Sequence, residues 1–319
     1  MDTAPLFEDV AQGPDGGRAF WLTCPDGVKI RLAHWPAATG AMQKGTVRQG
    51  TVLLFPGRTE YAEKYGPAAA EFAAAGFDMI AIDWRGQGIA DRLSEDNLLG
   101  HVANFDDYQV DVDTVMAAVA DLDLPKPFYL IGHSMGGAIG LRALHRNLPV
   151  NAAVFSAPMW GIGLATWLRP VAWSLSWFTH SFGNGTKLSP ATKREGYVQI
   201  SPFEDNQLTK DPEMWAFMQN QLVAHPELAL GGPSVTWLYL ALRETASLTR
   251  TPPPAIPTLT FLGEDERIVA TEPVHKIMSG WKNGELILVP KAEHEIMMEV
   301  PDTRAMFYRR TIEHFRAHA

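Results

Sequence analysis

The stretch Gly132-His133-Ser134-Met135-Gly136-Gly137 decides the fold of this chain. It follows the apolar run Phe128–Ile131, which is typical of a buried strand, and precedes a helical pattern over Ala138–Leu148. A strand, a tight turn and a helix would hold the Ser134 hydroxyl at the apex of the turn. Glycines suit the flanking positions, because a Cβ atom there would collide with the neighbouring strand or helix. The pattern therefore predicts a serine nucleophile above the positive end of a helix.

On both sides of this stretch, short apolar runs alternate with longer amphipathic ones, which predicts strands alternating with helices. The predicted strands are Phe20–Thr23, Val28–Trp35, Thr51–Phe55, Met79–Ile82, Phe128–Ile131, Ala152–Phe155, Thr258–Leu262 and Leu286–Val289. The predicted helices are Glu60–Ala75, Asn104–Asp121, Met135–Asn147, Thr271–Ser279 and Asp302–Ala317. We therefore expect an α/β fold with a mostly parallel central sheet flanked by helices.

The alternation stops between Phe155 and Thr258. This stretch contains a cluster of tryptophans and ends in three prolines at 252–254, which form a stiff connector. We interpret it as a helical cap over the carboxyl ends of the strands, where open α/β sheets bind ligands. The expected organisation is a first core part at 1–156, a cap at 157–253 and a second core part at 254–319.

The composition excludes several classes of function. Lys and Arg number 27 against 36 Asp and Glu, so the formal net charge is −9, and neither nucleic-acid binding nor docking on an anionic membrane is expected. The single cysteine, Cys24, cannot form an intrachain disulfide or a cysteine zinc site. We see no signal peptide and no run of about 18 apolar residues, and we expect a cytoplasmic protein without a transmembrane segment. No metal-binding or nucleotide-binding motif is recognised, so no metal or cofactor is predicted.

A serine nucleophile needs a base and an acid that orients the base. After a strand–turn–helix nucleophile, the acid precedes the histidine along the chain. A late strand and turn are followed by three acidic candidates, Glu264, Asp265 and Glu266. His294 follows the next strand, and no other histidine stands in a loop of that kind after the acids. If the sheet is parallel, both loops leave it at the same edge as Ser134.

Several separate motifs resemble those of the α/β-hydrolases of the monoacylglycerol lipase and lysophospholipase group, the serine-aminopeptidase-like hydrolases. The resemblance runs from about Arg31 to His314. Besides the nucleophile motif, it rests on Phe55–Tyr61 (similar to an oxyanion loop, His-Gly-x-x-Glu), Asp83–Gly88 (D-x-R-G-x-G), Gly263–Val269 (G-x-x-D-x-x-V) and Ala292–Glu295. Pro56 stands where the family usually has histidine.

The resemblance implies roles for particular residues of this chain. The implied catalytic triad is Ser134, Glu266 and His294. The implied donors to the oxyanion are the backbone amides of Arg58 and Met135. The family usually has an aspartate at the acid position, where this chain has Glu266, and the neighbouring Asp265 therefore stays open as an alternative. The implied activity is hydrolysis of carboxylic esters through an acyl-enzyme.

The tryptophan-rich cap segment has three interpretations. It could line an acyl-chain pocket, pack the core of the cap, or form an exposed patch for peripheral membrane contact or dimerisation. The resemblance favours a pocket in which Met159, Trp160 and Trp167 bind a hydrophobic or lipid-like ester as the small-molecule partner. The same triad could serve an aminopeptidase, an acyltransferase or a carbon–carbon bond hydrolase, and a non-catalytic ligand binder is the remaining alternative. The sequence does not indicate an oligomeric state.

Overall fold

The structure, a computed structural model, describes residues 1–38, 49–163, 185–190 and 192–319. The strands in these ranges are β1 (Asp2–Ala4), β2 (Arg18–Thr23), β3 (Lys29–Trp35), β4 (Thr51–Phe55), β5 (Asp78–Asp83), β6 (Phe128–His133), β7 (Ala152–Ser156), β8 (Thr258–Gly263) and β9 (Gly284–Val289). They form one sheet in the order β1-β2-β3-β5-β4-β6-β7-β8-β9. Pairing is parallel from β5 through β9 and antiparallel from β1 to β5. The predicted α/β class with a mostly parallel sheet is confirmed.

Helices cover both faces of this sheet. Those of the described residues are α1 (Glu8–Ala11), α2 (Gly66–Ala74), α3 (Asp107–Asp121), α4 (Met135–His145), α5 (Tyr197–Ile200), α6 (Pro212–Ala224), α7 (Val235–Leu248), α8 (Thr271–Ser279) and α9 (Pro301–Ala317). All eight predicted strands are present, with ends shifted by at most two residues, whereas the short edge strand β1 was not predicted. The helix predicted from Glu60 is divided into a 3-10 turn at Ala62–Tyr65 and then α2.

Alternate residues of the central strands supply two separate apolar cores. In β4, Leu53 and Phe55 enter the core beneath α3 and α4, while Val52 and Leu54 enter the core beneath α2 and α9. Side chains alternate between the faces of a strand, so a strand buried on both faces reads as a continuous apolar run. This is why β4 and β6 stand out so clearly in the sequence.

The parallel strands deliver four loops to one edge of the sheet. Phe55 at the end of β4 lies opposite Gly132 of β6, and Gly263 at the end of β8 lies opposite Val289 at the end of β9. The segments that follow these four strands contain the predicted site residues. The sheet therefore assembles the site from parts of the chain that are distant in sequence.

The stretch between β7 and β8 supplies α5, α6 and α7. Helix α6 begins after Asp211, whose carboxylate accepts the amide of Glu213 at 2.8 Å. Helix α7 is joined to α4 by an ion pair between Glu244 and Arg142, at 2.8 Å. The domain boundaries at 156/157 and 253/254 stay a prediction, and Trp167 lies outside the described residues. In the part of the chain that the structure describes, we find no helix with the length and apolar character needed to span a membrane.

Candidate active site

Ser134 occupies a strained turn between β6 and α4. Its backbone has φ +49° and ψ −117°, a conformation that non-glycine residues rarely adopt and that surrounding contacts must enforce. The Ser134 amide donates to the carbonyl of Ser156 at 3.1 Å, and its carbonyl accepts the amide of Met159 at 2.8 Å. The serine is thereby fixed to the end of β7, with only 9% of its surface exposed.

The glycines around Ser134 are required by close backbone contacts. A Cβ atom on Gly136 would lie 1.9 Å from the carbonyl oxygen of Phe55, at the end of β4. A Cβ atom on Gly137 would lie 2.6 Å from the Cβ atom of Pro158. Both distances are far below van der Waals contact, so the reason predicted for the glycine two residues after Ser134 agrees with the geometry of the turn and extends to Gly137.

The structure brings the predicted acid and base together. Nδ1 of His294 lies 2.7 Å from Oε2 of Glu266, and the carboxylate side chain is fully buried. The other oxygen of Glu266 accepts the amides of Ile268 at 2.6 Å and Val269 at 3.0 Å. Burial would raise the pKa of the Glu266 carboxyl, but the His294 ring and the two amides outweigh burial and hold that pKa below its ordinary value.

The competing acids lie elsewhere. The Asp265 side chain is 47% exposed and pairs with Lys210 at the surface. Glu264 is also exposed. Glu266 is therefore the one of the three acidic candidates whose carboxylate lies at the imidazole.

Ser134 and His294 line the same cavity, whose volume is about 350 Å³. Met159, predicted to bind substrate, is part of its wall. Trp160, predicted to do the same, is wholly buried beneath the turn and is not among the described residues that line the cavity. Its indole N–H donates to the carbonyl of Gly137 at 3.1 Å, and its ring lies 5.0 Å from that of Phe155. Because its indole N–H is hydrogen-bonded and its ring packs in the core, Trp160 supports the turn and does not face the cavity.

The loop after β4 lies directly against the nucleophile. A Cβ atom on Gly57 would be 3.1 Å from the Cβ atom of Ser134. The amide of Gly57 donates to Glu60, and the amide of Thr59 donates to the side chain of Gln87 at 3.1 Å. The amide of Arg58 between them has no acceptor among the described residues.

The second predicted oxyanion donor is the amide of Met135, the first residue of α4. The first amides of a helix lack partners within the helix and carry its positive potential. The arrangement thus provides two amides that have no acceptor in the part of the chain that the structure describes, as binding of a tetrahedral oxyanion would require. The use of the Arg58 and Met135 amides in this way stays a prediction.

Pro56 replaces the usual histidine, and other side chains hold the loop. The indole of Trp84 donates to the carbonyl of Pro56 at 3.0 Å, and the amide group of Gln87 donates to the carbonyl of Gly57 at 2.9 Å. Both residues belong to the D-x-R-G-x-G motif at Asp83–Gly88. Sequence reasoning missed them, because they occupy the variable positions of that motif and only the tertiary structure shows what they contact.

A buried charge cluster, formed by Glu60, Lys64, His133 and Glu295, lies behind the site. The Lys64 ammonium is 2.5 Å from Glu60 and 2.7 Å from Glu295, and Nε2 of His133 is 3.3 Å from Glu295. Burial would raise the pKa of Glu295, but His133 and Lys64 hold it well below its ordinary value. The cluster ties the oxyanion loop, the nucleophile turn and the histidine loop together. In the sequence, this cluster is indicated only by the four-residue spacing of Glu60 and Lys64, which is typical of an ion pair on a helix.

The same cluster has the donor atoms of a metal site. Ligand atoms of Glu60, His133 and Glu295 lie within 4.8 Å of one another. The Lys64 ammonium, however, already contacts both carboxylates, so the cation between them is part of the chain itself. This donor set therefore does not call for a metal.

The chain matches known proteins over most of its length. The family model described as serine aminopeptidase, S33, matches residues 46–301. Lysophospholipase L2 of Escherichia coli is 30% identical over 289 residues, covering 84% of this chain and 80% of that protein. The probable lysophospholipase L2 of Haemophilus influenzae is 26% identical over 297 residues, covering 92% of this chain and 90% of that protein.

A solved structure of monoglyceride lipase from Saccharomyces cerevisiae shares the fold. The two structures align with a TM-score of 0.70 at 19% identity, and the alignment covers 92% of this chain and 93% of the lipase chain. These comparisons confirm the resemblance that the motifs predict. The chain therefore belongs to the serine aminopeptidase, S33, family of α/β-hydrolases.

Proposed function

We propose that the protein is a serine hydrolase that cleaves carboxylic esters of hydrophobic or lipid-like molecules, such as lysophospholipids and monoacylglycerols, through an acyl-enzyme. One observation carries the proposal: a serine on a strained turn and an imidazole paired with a buried carboxylate line one cavity. The lysophospholipase and monoglyceride lipase relatives support the same chemistry.

In this mechanism His294 acts as the base for Ser134. Glu266 accepts a hydrogen bond from Nδ1–H of His294, which leaves the lone pair of Nε2 free, and its charge stabilises the imidazolium that forms. As Nε2 takes the hydroxyl proton, Oγ attacks the ester carbonyl carbon, and the amides of Arg58 and Met135 bind the resulting oxyanion. His294 then donates the proton to the departing alcohol. Water, deprotonated by the same imidazole, releases the acid from the acyl-enzyme.

The cavity wall suits an acyl chain. Much of it is apolar, as shown by Met159, Ile162, Met218, Leu222, Leu230 and Trp237. Each methylene group transferred from water to such a wall contributes about 0.8 kcal/mol. We assign Met159 to acyl-chain binding and residues 157–253 to a cap that closes the cavity. Trp237 of this cap was missed as a cavity residue, because its helical pattern does not reveal which side faces the core.

A cytoplasmic location and peripheral contact with lipid surfaces also belong to the proposal. The single cysteine, Cys24, is buried and forms no disulfide, in keeping with a reducing compartment. Fractionation of cells that produce the tagged chain tests the location, and a high-salt wash of the membranes tests the peripheral contact. Protein in the cytoplasmic fraction, together with protein that the wash releases from the membranes, agrees with both predictions. Recovery of the protein in the extracellular fraction would contradict the location.

The decisive test combines a mutation with covalent labelling. The wild type should react with a fluorophosphonate probe and hydrolyse a monoacylglycerol and a lysophospholipid, whereas Ser134→Ala should lose labelling and lower kcat by several orders of magnitude. Ser279→Ala, at the end of α8, serves as the matched control. Labelling retained in Ser134→Ala would refute the assignment of the nucleophile. A preference for proline amides over both lipids would favour the aminopeptidase alternative.

A further inference from the structure

The Arg58 side chain lines the cavity beside Ser134 without a carboxylate partner. The acidic side chains of the wall are engaged elsewhere, since Glu60 and Glu295 both contact the Lys64 ammonium. Arg58 makes no ion pair with any carboxylate of the described residues. The remaining stretches, 39–48, 164–184 and 191, contain no Asp or Glu in their sequence. No carboxylate of the chain is therefore paired with Arg58.

Two contacts hold the guanidinium in place without neutralising it. Nη1 donates to the carbonyl of Gly231 at 2.8 Å, and the guanidinium carbon lies 5.5 Å from the ring centre of Trp237. Burial lowers the pKa of Arg58 to about 10, so the side chain remains a cation at neutral pH. A guanidinium has five N–H donors, and a partly buried charge without a counter-ion costs free energy before a ligand binds. An anionic ligand would recover that cost.

We propose that the Arg58 side chain is an anion subsite that binds the phosphate of a lysophospholipid while its ester is cleaved at Ser134. This inference rests on the proposed function. The backbone of Arg58 stands at the predicted oxyanion hole, and its side chain reaches into the same cavity. In a lysophospholipid the phosphate is separated from the scissile ester only by the glycerol unit, on the side of the departing alcohol. A planar guanidinium can bind two phosphate oxygens at once.

The subsite makes Arg58 a specificity-determining residue. A monoacylglycerol has the same ester and the same acyl chain but no anion, so it cannot use the guanidinium. The informative quantity is the ratio of kcat/KM for a lysophospholipid to kcat/KM for the monoacylglycerol with the same short acyl chain, both below their micellar concentrations. Any disturbance of the oxyanion loop lowers both values and cancels in the ratio.

The test compares this ratio in the wild type, Arg58→Gln, Arg58→Lys and the control Arg142→Gln. Arg142 is a partly buried arginine that pairs with Glu244 and is not among the described residues that line the cavity. We expect Arg58→Gln to lower the ratio at least about tenfold, mainly through KM for the lysophospholipid, as the loss of a charge-assisted hydrogen bond predicts. The ratio for Arg58→Lys should lie between those of the wild type and Arg58→Gln, and Arg142→Gln should leave the ratio unchanged.

A measurement on the wild type keeps the proposal testable if the Arg58 variants do not fold. A non-hydrolysable alkyl ether of glycerol phosphocholine should inhibit hydrolysis of p-nitrophenyl butyrate at a lower concentration than the matching alkyl glycerol, by about tenfold or more. Equal inhibition, or an unchanged ratio in Arg58→Gln, would overturn the anion subsite while leaving ester hydrolysis intact. Failure of the wild type to cleave either lipid would reject the proposed function, and the subsite with it.

Discussion

Replacing Glu266 with glutamine keeps the shape of the side chain and removes its charge. In the wild type, Oε1 accepts the amides of Ile268 and Val269, while Oε2 lies 2.7 Å from Nδ1 of His294. Glutamine has one oxygen and one NH₂ group, so it cannot accept hydrogen bonds at both positions. If its oxygen stays with the two amides, its NH₂ group faces the imidazole and donates to Nδ1.

The glutamine would therefore stabilise the wrong tautomer of His294. The ring proton would reside on Nε2, which is the atom that must accept the proton of Ser134. A comparable change in a well-studied serine protease triad lowers kcat by about 10⁴, equivalent to about 5.5 kcal/mol of transition-state stabilisation. We expect a loss of about 10³ to 10⁴ in kcat, with KM changed by less than about threefold.

Initial rates of p-nitrophenyl butyrate hydrolysis check this expectation. Asp265→Asn is the matched control: the Asp265 side chain is 47% exposed and pairs with Lys210 at the surface, so the activity should stay within about twofold of wild type. Thermal unfolding of each variant shows whether the fold is retained. If Asp265→Asn loses about 10³ and Glu266→Gln does not, the assignment of the acid is wrong.

Three further predictions concern the buried supports of the site. Lys64→Met leaves two buried carboxylates without their cation and should lower the free energy of unfolding by about 3–5 kcal/mol, measured by urea denaturation; a change below about 1 kcal/mol would contradict a structural role for the ammonium. Because the pKa of Glu295 is lowered on folding, its stabilisation is present above its ordinary value of 4.5 and is lost as the pH falls below that value, so urea midpoints should decrease there; a flat profile from pH 5 downward would count against this. Gly136→Ala should lower stability by about 1–3 kcal/mol and reduce kcat, because its Cβ atom would overlap the carbonyl of Phe55, whereas Gly280→Ala, whose nearest contact would be 3.6 Å, should resemble wild type; equal behaviour of the two variants would refute the packing argument.

The α/β fold could be predicted because its signals are local. Each strand buried on both faces reads as a continuous apolar run, and β4 was predicted at its observed bounds, Thr51–Phe55. The short edge strand β1 was missed, since three residues are too few for a periodic pattern. The cap could be predicted only as an insertion. Its sequence pattern places apolar residues on more than one side of a helix, and the pattern does not state which side is covered by the rest of the protein.

For the candidate site, the sequence determined which chemical groups are available and in which order along the chain. Ser134, His294 and the acidic loop could be identified because each follows a recognisable strand. The choice of Glu266 over Asp265 depends on which carboxylate points inward, and neighbouring residues on a loop differ in direction in ways that no local pattern records. The unpaired charge of Arg58 and the position of Lys64 between two carboxylates were likewise decided only by tertiary structure, because both depend on groups that are distant in sequence and are brought together by the sheet.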